Sequence, residues 1–208
     1  MEVTSLDKKK IGIIGGTFDP IHNGHLLMAE NSRKAFSLDK IIFIPAGIPP
    51  HKKDKNISSN VHRYNMTLLA INNNKHYFLS DIELKREGIS FTVDTIKHLK
   101  SIFSGAELYF IMGSDSLLQI EKWKDYEELL SLCNFIVAKR PNYDDEQLKR
   151  KVDNLNSLYK SFIYIVEGPV LDVSSSDIRN KVQRGESITY LVPNPVEEYI
   201  YKHELYKE

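Results

Sequence analysis

The chain has 208 residues, with 28 Lys and Arg against 28 Asp and Glu, for a formal net charge of zero. This length suits one α/β domain with a sizeable core, and the charge balance lacks the basic surplus that nucleic-acid or anionic-membrane binding calls for. A single cysteine, Cys133, excludes an internal disulfide framework and fits a reducing, cytoplasmic compartment, and no apolar run reaches the roughly 20 residues of a membrane span.

In chain order, residues 1–10 are charged, have no apolar stretch behind the charge, and read as an N-terminal arm, not a signal peptide. Residues 11–208 are expected to form a single domain. Strands are predicted at 11–15, 40–45, 76–80, 107–112, 134–138 and 161–166. Several are apolar at nearly every position, as expected of parallel strands covered on both faces. Helices are predicted between them, at 23–36, 60–73, 91–103, 115–120, 125–132 and 144–158. The alternation implies an α/β, doubly wound, Rossmann-like open parallel sheet with helices on both faces. Two further helices, 174–184 and 195–205, form a small C-terminal helical segment around Pro193 and Pro195. Ligands of such sheets bind beyond the carboxyl ends of the strands, so the loops after strands one, two, four and six are expected to share a cleft. The polar, proline-bounded segment 46–59 is a candidate lid.

The most informative stretch is Gly15-Gly16-Thr17-Phe18-Asp19-Pro20-Ile21-His22-Asn23-Gly24-His25. It joins the first strand to the first helix. Glycines let the backbone approach a phosphate, and a helix start presents free N–H groups and a positive dipole end. His22 and His25, three apart, lie near one face of the first turn. They could ligate a metal in principle, but the glycine turn favours phosphate, and no protein metal site is expected. The loop has neither the Gly-Lys-Ser/Thr of a P-loop nor the three-glycine dinucleotide fingerprint.

Other segments add candidates. Ser174-Ser175-Ser176-Asp177-Ile178-Arg179 opens a helix after the sixth strand, with hydroxyls and a planar guanidinium suited to an anion. Its ordinary reading is an N-cap with a solvent-facing arginine. Lys52, in Pro49-Pro50-His51-Lys52-Lys53, could steer a phosphate. Phe91 and Thr92, after Gly88, could face the cleft or merely fill the core and cap a helix. Gly113-Ser114-Asp115 ends the fourth strand, and Trp123 either stacks on a ligand ring or is buried for its area. Cys133 reads as a small apolar filler beside a strand.

The first of these motifs resembles the signature loop of the nucleotidyltransferase superfamily that carries His-x-Gly-His, and Ser174 to Arg179 resembles its second signature. Pro49-Pro50-His51-Lys52, Arg63 with Met66, Glu83 and Arg86 with Gly88 to Thr95, Gly113-Ser114-Asp115, Trp123, and Tyr190-Leu191-Val192-Pro193 with Val196 and Tyr199-Ile200 extend the resemblance to bacterial nicotinate-nucleotide adenylyltransferases. Ser176 and Phe91 depart mildly, since the family often has Thr and Tyr there. The resemblance implies transfer of the adenylyl group of ATP to nicotinate mononucleotide. The products would be deamido-NAD and pyrophosphate, with Mg2+ accompanying ATP and no covalent enzyme intermediate.

On that resemblance, His22, His25 and Arg179 are the expected catalytic residues. Gly15, Gly16, Thr17, Phe18, Gly113, Asp115, Ser175 and Ser176 join them in binding ATP. Thr17, Asp19, Lys52, Thr92 and Trp123 are expected to hold nicotinate mononucleotide. A homo-oligomer is compatible with the chain; nucleic acid and membrane are not expected partners. The nearest alternatives are a sister transferase with another acceptor or a cytidylyl donor, and a nucleotide-binding regulator without catalysis. An acceptor panel separates them.

Overall fold

A computed structural model describes residues 8–49, 57–139, 145–159, 161–169 and 171–207. Six strands, β1 (Lys10–Gly16), β2 (Lys40–Pro45), β3 (Tyr77–Leu79), β4 (Glu107–Gly113), β5 (Asn134–Ala138) and β6 (Ile163–Val166), form one sheet in the order β3-β2-β1-β4-β5-β6. Every neighbouring pair is parallel. The strand order reverses between β1 and β4, which is where a doubly wound sheet opens a crevice at its carboxyl edge.

The sheet is covered on both faces, as its apolar strands require. Ile11, Ile13, Phe110 and Phe135 face a layer that contains α3 (Thr92–Ile102), α4 (Ser114–Leu118), α5 (Tyr126–Leu132) and α6 (Asp145–Tyr159). Their sequence neighbours Ile14, Tyr109, Ile111 and Ile136 face the other layer, with α1 (Asn23–Phe36), α2 (Asn60–Ile71), α7 (Ser175–Gln183) and α8 (Asn194–Lys202). The period of two along each strand thus sends alternate side chains to opposite layers. Each fully buried Ile or Phe contributes about 1.5–3 kcal/mol relative to exposure.

Most expected elements occur, with shifted ends. Lys10 already belongs to β1, because it pairs with Glu107 of β4, so the arm is shorter than 1–10; residues 1–7 lie outside the described residues. The predicted strand 161–166 shortens to Ile163–Val166: Ser161 turns its hydroxyl to Leu155 O and Asn156 Oδ1, and Asn156 Oδ1 accepts from the Ile163 amide. The predicted helix 115–120 divides into α4 and a 3-10 turn, Ile120–Lys122, which delivers Trp123 in an extended conformation.

Candidate active site

A cleft of about 580 Å3 opens at the switch between β1 and β4. Gly15, Gly16 and Thr17 line it from β1, Ala46 and Pro49 from the end of β2, and Thr92 from the start of α3. Asp115 and Trp123 close the side beyond β4. The expectation that the sixth-strand loop shares this cleft is corrected: the loop after β3 supplies Glu83, Ser90 and Phe91 instead. The segment after β6 meets the β1–α1 loop at Asp19 and Pro20, and like His22 and His25 it is not among the cleft-lining residues.

The β1–α1 loop has a shape that its glycines permit. Phe18 adopts φ 50°, in the left-handed region, and buries its ring against Gly16, where a Cβ would lie 2.8 Å from Phe18 Cε1. Phe18 also meets His25 edge-on at 5.1 Å. The Asp19–Pro20 peptide bond is cis. His22 then serves as N-cap of α1, with extended backbone, and its amide donates to His25 Nδ1 at 3.2 Å. The two imidazoles stack at 3.6 Å between centroids and 25° between planes. His22 is 3% exposed and His25 half-buried. A Cβ at Gly24 would lie 3.0 Å from His22 Nδ1 and 3.1 Å from Val173 Cγ1, so the glycine between the histidines makes room for the inner ring.

The start of α7 docks on this loop. Ser174 caps the helix, its Oγ accepting from the Asp177 amide at 3.1 Å. Ser175 Oγ donates to Pro20 O at 2.9 Å, Arg179 Nη1 to Asp19 O at 2.7 Å, and Arg179 Nη2 to Ser176 Oγ at 3.3 Å. The serine–arginine motif and the glycine–histidine motif are therefore brought together through carbonyls of the loop itself.

Asp19, expected to face nicotinate mononucleotide, is placed elsewhere. It is 2% exposed and is not among the cleft-lining residues. Its carboxylate accepts from the Tyr206 hydroxyl at 2.7 Å and the Ser58 amide at 3.2 Å, which commits it to holding the loop to the chain's last turn and to the start of α2. Burial and the Asp19 charge push the Tyr206 phenol well above its ordinary range. Gly113 ends β4 and caps α4 but is likewise not among the cleft-lining residues. Lys52, and the part of the candidate lid around it, lie outside the described residues.

At the far end of the cleft the surroundings are aromatic. Trp123 is half-buried and packs edge-on against Phe110 at 6.0 Å. Phe91 caps α3 with extended backbone, and Lys124 Nζ lies 4.5 Å above its ring. Beneath them a polar network is buried. Thr95 Oγ1 donates to Glu83 Oε1 at 2.7 Å, and Arg86 Nη1 donates to Thr95 Oγ1 at 3.0 Å. Burial pushes the Glu83 carboxyl up, against the opposing pull of Thr95 and Arg86. Cys133 is far from nucleophilic, its thiol pushed up to about 12 by burial. No group of three or more His, Cys, Asp or Glu among the described residues could hold a metal ion.

A family model described as cytidylyltransferase-like matches residues 13–181. The chain belongs to the cytidylyltransferase-like family. A curated relative from Thermoanaerobacter sp. (strain X514), named "Probable nicotinate-nucleotide adenylyltransferase", is 48% identical over 200 residues, covering 96% of this chain and 95% of that protein. A relative of the same name from Clostridium novyi (strain NT) is 44% identical, covering 96% of this chain and all of its own length. The fold is similar to that of a Plasmodium falciparum nicotinic acid mononucleotide adenylyltransferase. Its complex with NaAD gives a TM-score of 0.79 and its complex with APC 0.77, each at 26% identity over 95% of this chain and 97% of that one.

One family feature carried no role in the sequence reading. Arg63, on α2, is 1% exposed and is bound to the loop at Thr17 and to the end of β2. The signal for its burial is its spacing: residues 63, 66, 67, 70 and 71 form one helical stripe, and Met66, Thr67 and Ile71 are buried with it. The Glu83–Thr95 pair has no such signal, because a β-loop residue and a helix residue meet there only after folding.

Proposed function

We propose that this protein transfers the adenylyl group of ATP to nicotinate mononucleotide, giving deamido-NAD and pyrophosphate. The observation that carries the reading is the docking of the α7 start onto the two-histidine loop at the sheet's switch point, beside a cleft that ends in aromatic side chains. The curated relatives and the P. falciparum enzyme, by their names and complexes, support the same reaction.

A phosphate oxygen of the mononucleotide attacks the α-phosphorus of ATP in line, and the bond to the bridging oxygen breaks as pyrophosphate leaves. His22 and His25 stabilise charge on the α-phosphate, and the backbone of Gly15 to Phe18, with Thr17, approaches it. Ser175, Ser176 and Arg179 hold the β- and γ-phosphates and then the departing pyrophosphate. Thr92 and Trp123 hold the nicotinate end, and Asp115 lines the cleft on the adenosine side, with Gly113 as the strand end behind it; the resemblance gives Lys52 as the cation for the mononucleotide phosphate. Magnesium enters with ATP, as part of the substrate, and neutralises phosphate charge. Rate enhancement comes from orientation and charge stabilisation. In keeping with a direct transfer, the chain's one thiol is held protonated by burial.

The test is pyrophosphate release from Mg–ATP with nicotinate mononucleotide and its amide side by side. Release with the acid and little with the amide is expected. Equal release, or release with the amide alone, overturns the acceptor assignment and keeps the phosphate chemistry. Silence with both overturns the reaction.

A further inference from the structure

We propose that Arg63 is a positioning residue for adenylyl transfer, fixing the phosphate side of the cleft against its acceptor side. This rests on the reaction proposed above.

A guanidinium has five N–H groups, and each bond from Arg63 has its own oxygen. Nε donates to Ser58 O at 3.1 Å, Nη1 to Thr17 O at 2.9 Å and Ala46 O at 2.6 Å, and Nη2 to Gly47 O at 3.1 Å and Asn60 Oδ1 at 2.5 Å. All five acceptors are neutral. The side chain is among the largest fully buried ones in the described residues. Burial lowers the Arg63 pKa from its ordinary value, with Asp19, Tyr206 and Glu83 opposing. A cation placed among neutral carbonyls costs more than an apolar side chain of similar size. What this arrangement supplies is geometry, since a planar fork fixes several oxygens in set directions.

The oxygens come from three segments. Thr17 belongs to the β1–α1 loop and lines the cleft. Ala46 lines it from the end of β2. Ser58 and Asn60 flank Ser59, the N-cap of α2. The Ala46 amide also donates to Gly16 O at 2.8 Å, so strand pairing and guanidinium act on the same two loops. The chain of contacts continues outward. The Gly47 amide donates to Ser90 Oγ at 3.1 Å, two residues before Thr92. A Cβ at Gly47 would overlap Glu83 O, so this backbone is packed without slack. Arg63 thereby links the residues assigned to the α-phosphate with those assigned to the acceptor. Two substrates held in separate loops react at a rate set by the spacing of those loops, and a 1 Å misplacement costs on the order of 100-fold.

A residue with this role acts on kcat. One that only stabilised the fold would lower the folded fraction and leave each folded molecule normal. Initial rates over both substrates, divided by the folded fraction from near-ultraviolet circular dichroism, separate the two. In Arg63→Lys, whose ammonium has three donors for five oxygens, kcat per folded molecule is expected to fall about 30- to 100-fold, with both KM values within about threefold. If Arg63→Lys does not fold, Asn60→Ala decides, with an expected fall of about three- to tenfold in kcat and the same unchanged KM values. The proposal is overturned if kcat per folded molecule in the deciding variant stays within about twofold of wild type, or if the loss lies in KM or folded fraction alone. With an active wild type that result overturns this inference only. A wild-type chain that releases no pyrophosphate overturns it together with the reaction.

Discussion

The two ends of the cleft are built differently. The phosphate end is a backbone loop gripped by side chains from distant elements: Arg63 on Thr17 O, Arg179 on Asp19 O, Ser175 on Pro20 O, and Tyr206 on the Asp19 carboxylate. The ring end is a set of side chains resting on the apolar core, with Trp123 edge-on to Phe110 and Phe91 packed against the same layer. In the first, shape comes from hydrogen-bond direction, which tolerates little displacement. In the second it comes from contact area, which tolerates repacking. Substitutions at the phosphate end should therefore act on turnover, and those at the ring end on acceptor affinity.

The largest expected effect tests the phosphate end directly. His22→Ala and His25→Ala should each lower kcat by about 100- to 1,000-fold, the range for removing one donor aimed at developing charge. The melting temperature should fall by no more than about 8 °C, as a modest cavity predicts. Near-wild-type turnover in both would break the comparison at its centre. Gly24→Ala is a finer probe. The added methyl would press on His22 Nδ1 and Val173 Cγ1 from 3.0 and 3.1 Å, so the inner ring must give by a few tenths of an ångström. A fall of about tenfold in kcat with both imidazoles still present is expected, measured as turnover at saturating substrates.

The ring end gives the next effect. Trp123→Ala should raise the KM for nicotinate mononucleotide by about tenfold and leave the KM for ATP within about twofold, because an aromatic contact is lost on one substrate alone. A loss confined to kcat would mean that Trp123 positions the reacting atoms, and the proposed division between the two ends would not hold.

The difference between the ends also governs what the sequence made legible. Alternating apolar runs and helices predicted the parallel sheet, and the Gly15-Gly16 turn before His22 predicted a helix start, because glycine freedom and helix starts are local properties. The surroundings of Asp19 are not local in this way. The resemblance alone offered it as a ligand contact, and its hydrogen-bond partners, Ser58 and Tyr206, lie 39 and 187 residues away. The same holds for Thr95 with Glu83 and for the five oxygens of Arg63. Strand ends drifted where a side chain displaced the ladder, as Asn156 does at Ile163. Backbone-encoded features were legible, and long-range side-chain clamps were not.

The smallest expected effect supplies the control. Helix α1 carries the histidines at its start, but toward its other half Glu30 serves only the fold. Arg33 donates to Glu30 through Nε and Nη2, both at 2.9 Å, and the Tyr77 hydroxyl donates at 3.1 Å, tying α1 to β3. These bonds, led by that of Arg33, hold the Glu30 carboxyl down at about 2 despite partial burial. A carboxyl whose folded pKa is depressed stabilises the fold above its unfolded pKa, and this stability is lost as pH falls through the folded value. The window therefore runs from about 4.5 down to about 2. Glu30→Gln should lower the melting temperature by about 1–4 °C at neutral pH, since a partly exposed pair contributes at most about 1 kcal/mol. The difference from wild type should shrink across that window as pH falls, with kcat unchanged throughout. A shift in kcat would show that the far half of α1 is coupled to the histidine loop, so that the turnover-determining region extends beyond the cleft. A temperature difference that stayed constant down to pH 2 would show that Glu30 acts through packing and not through its charge.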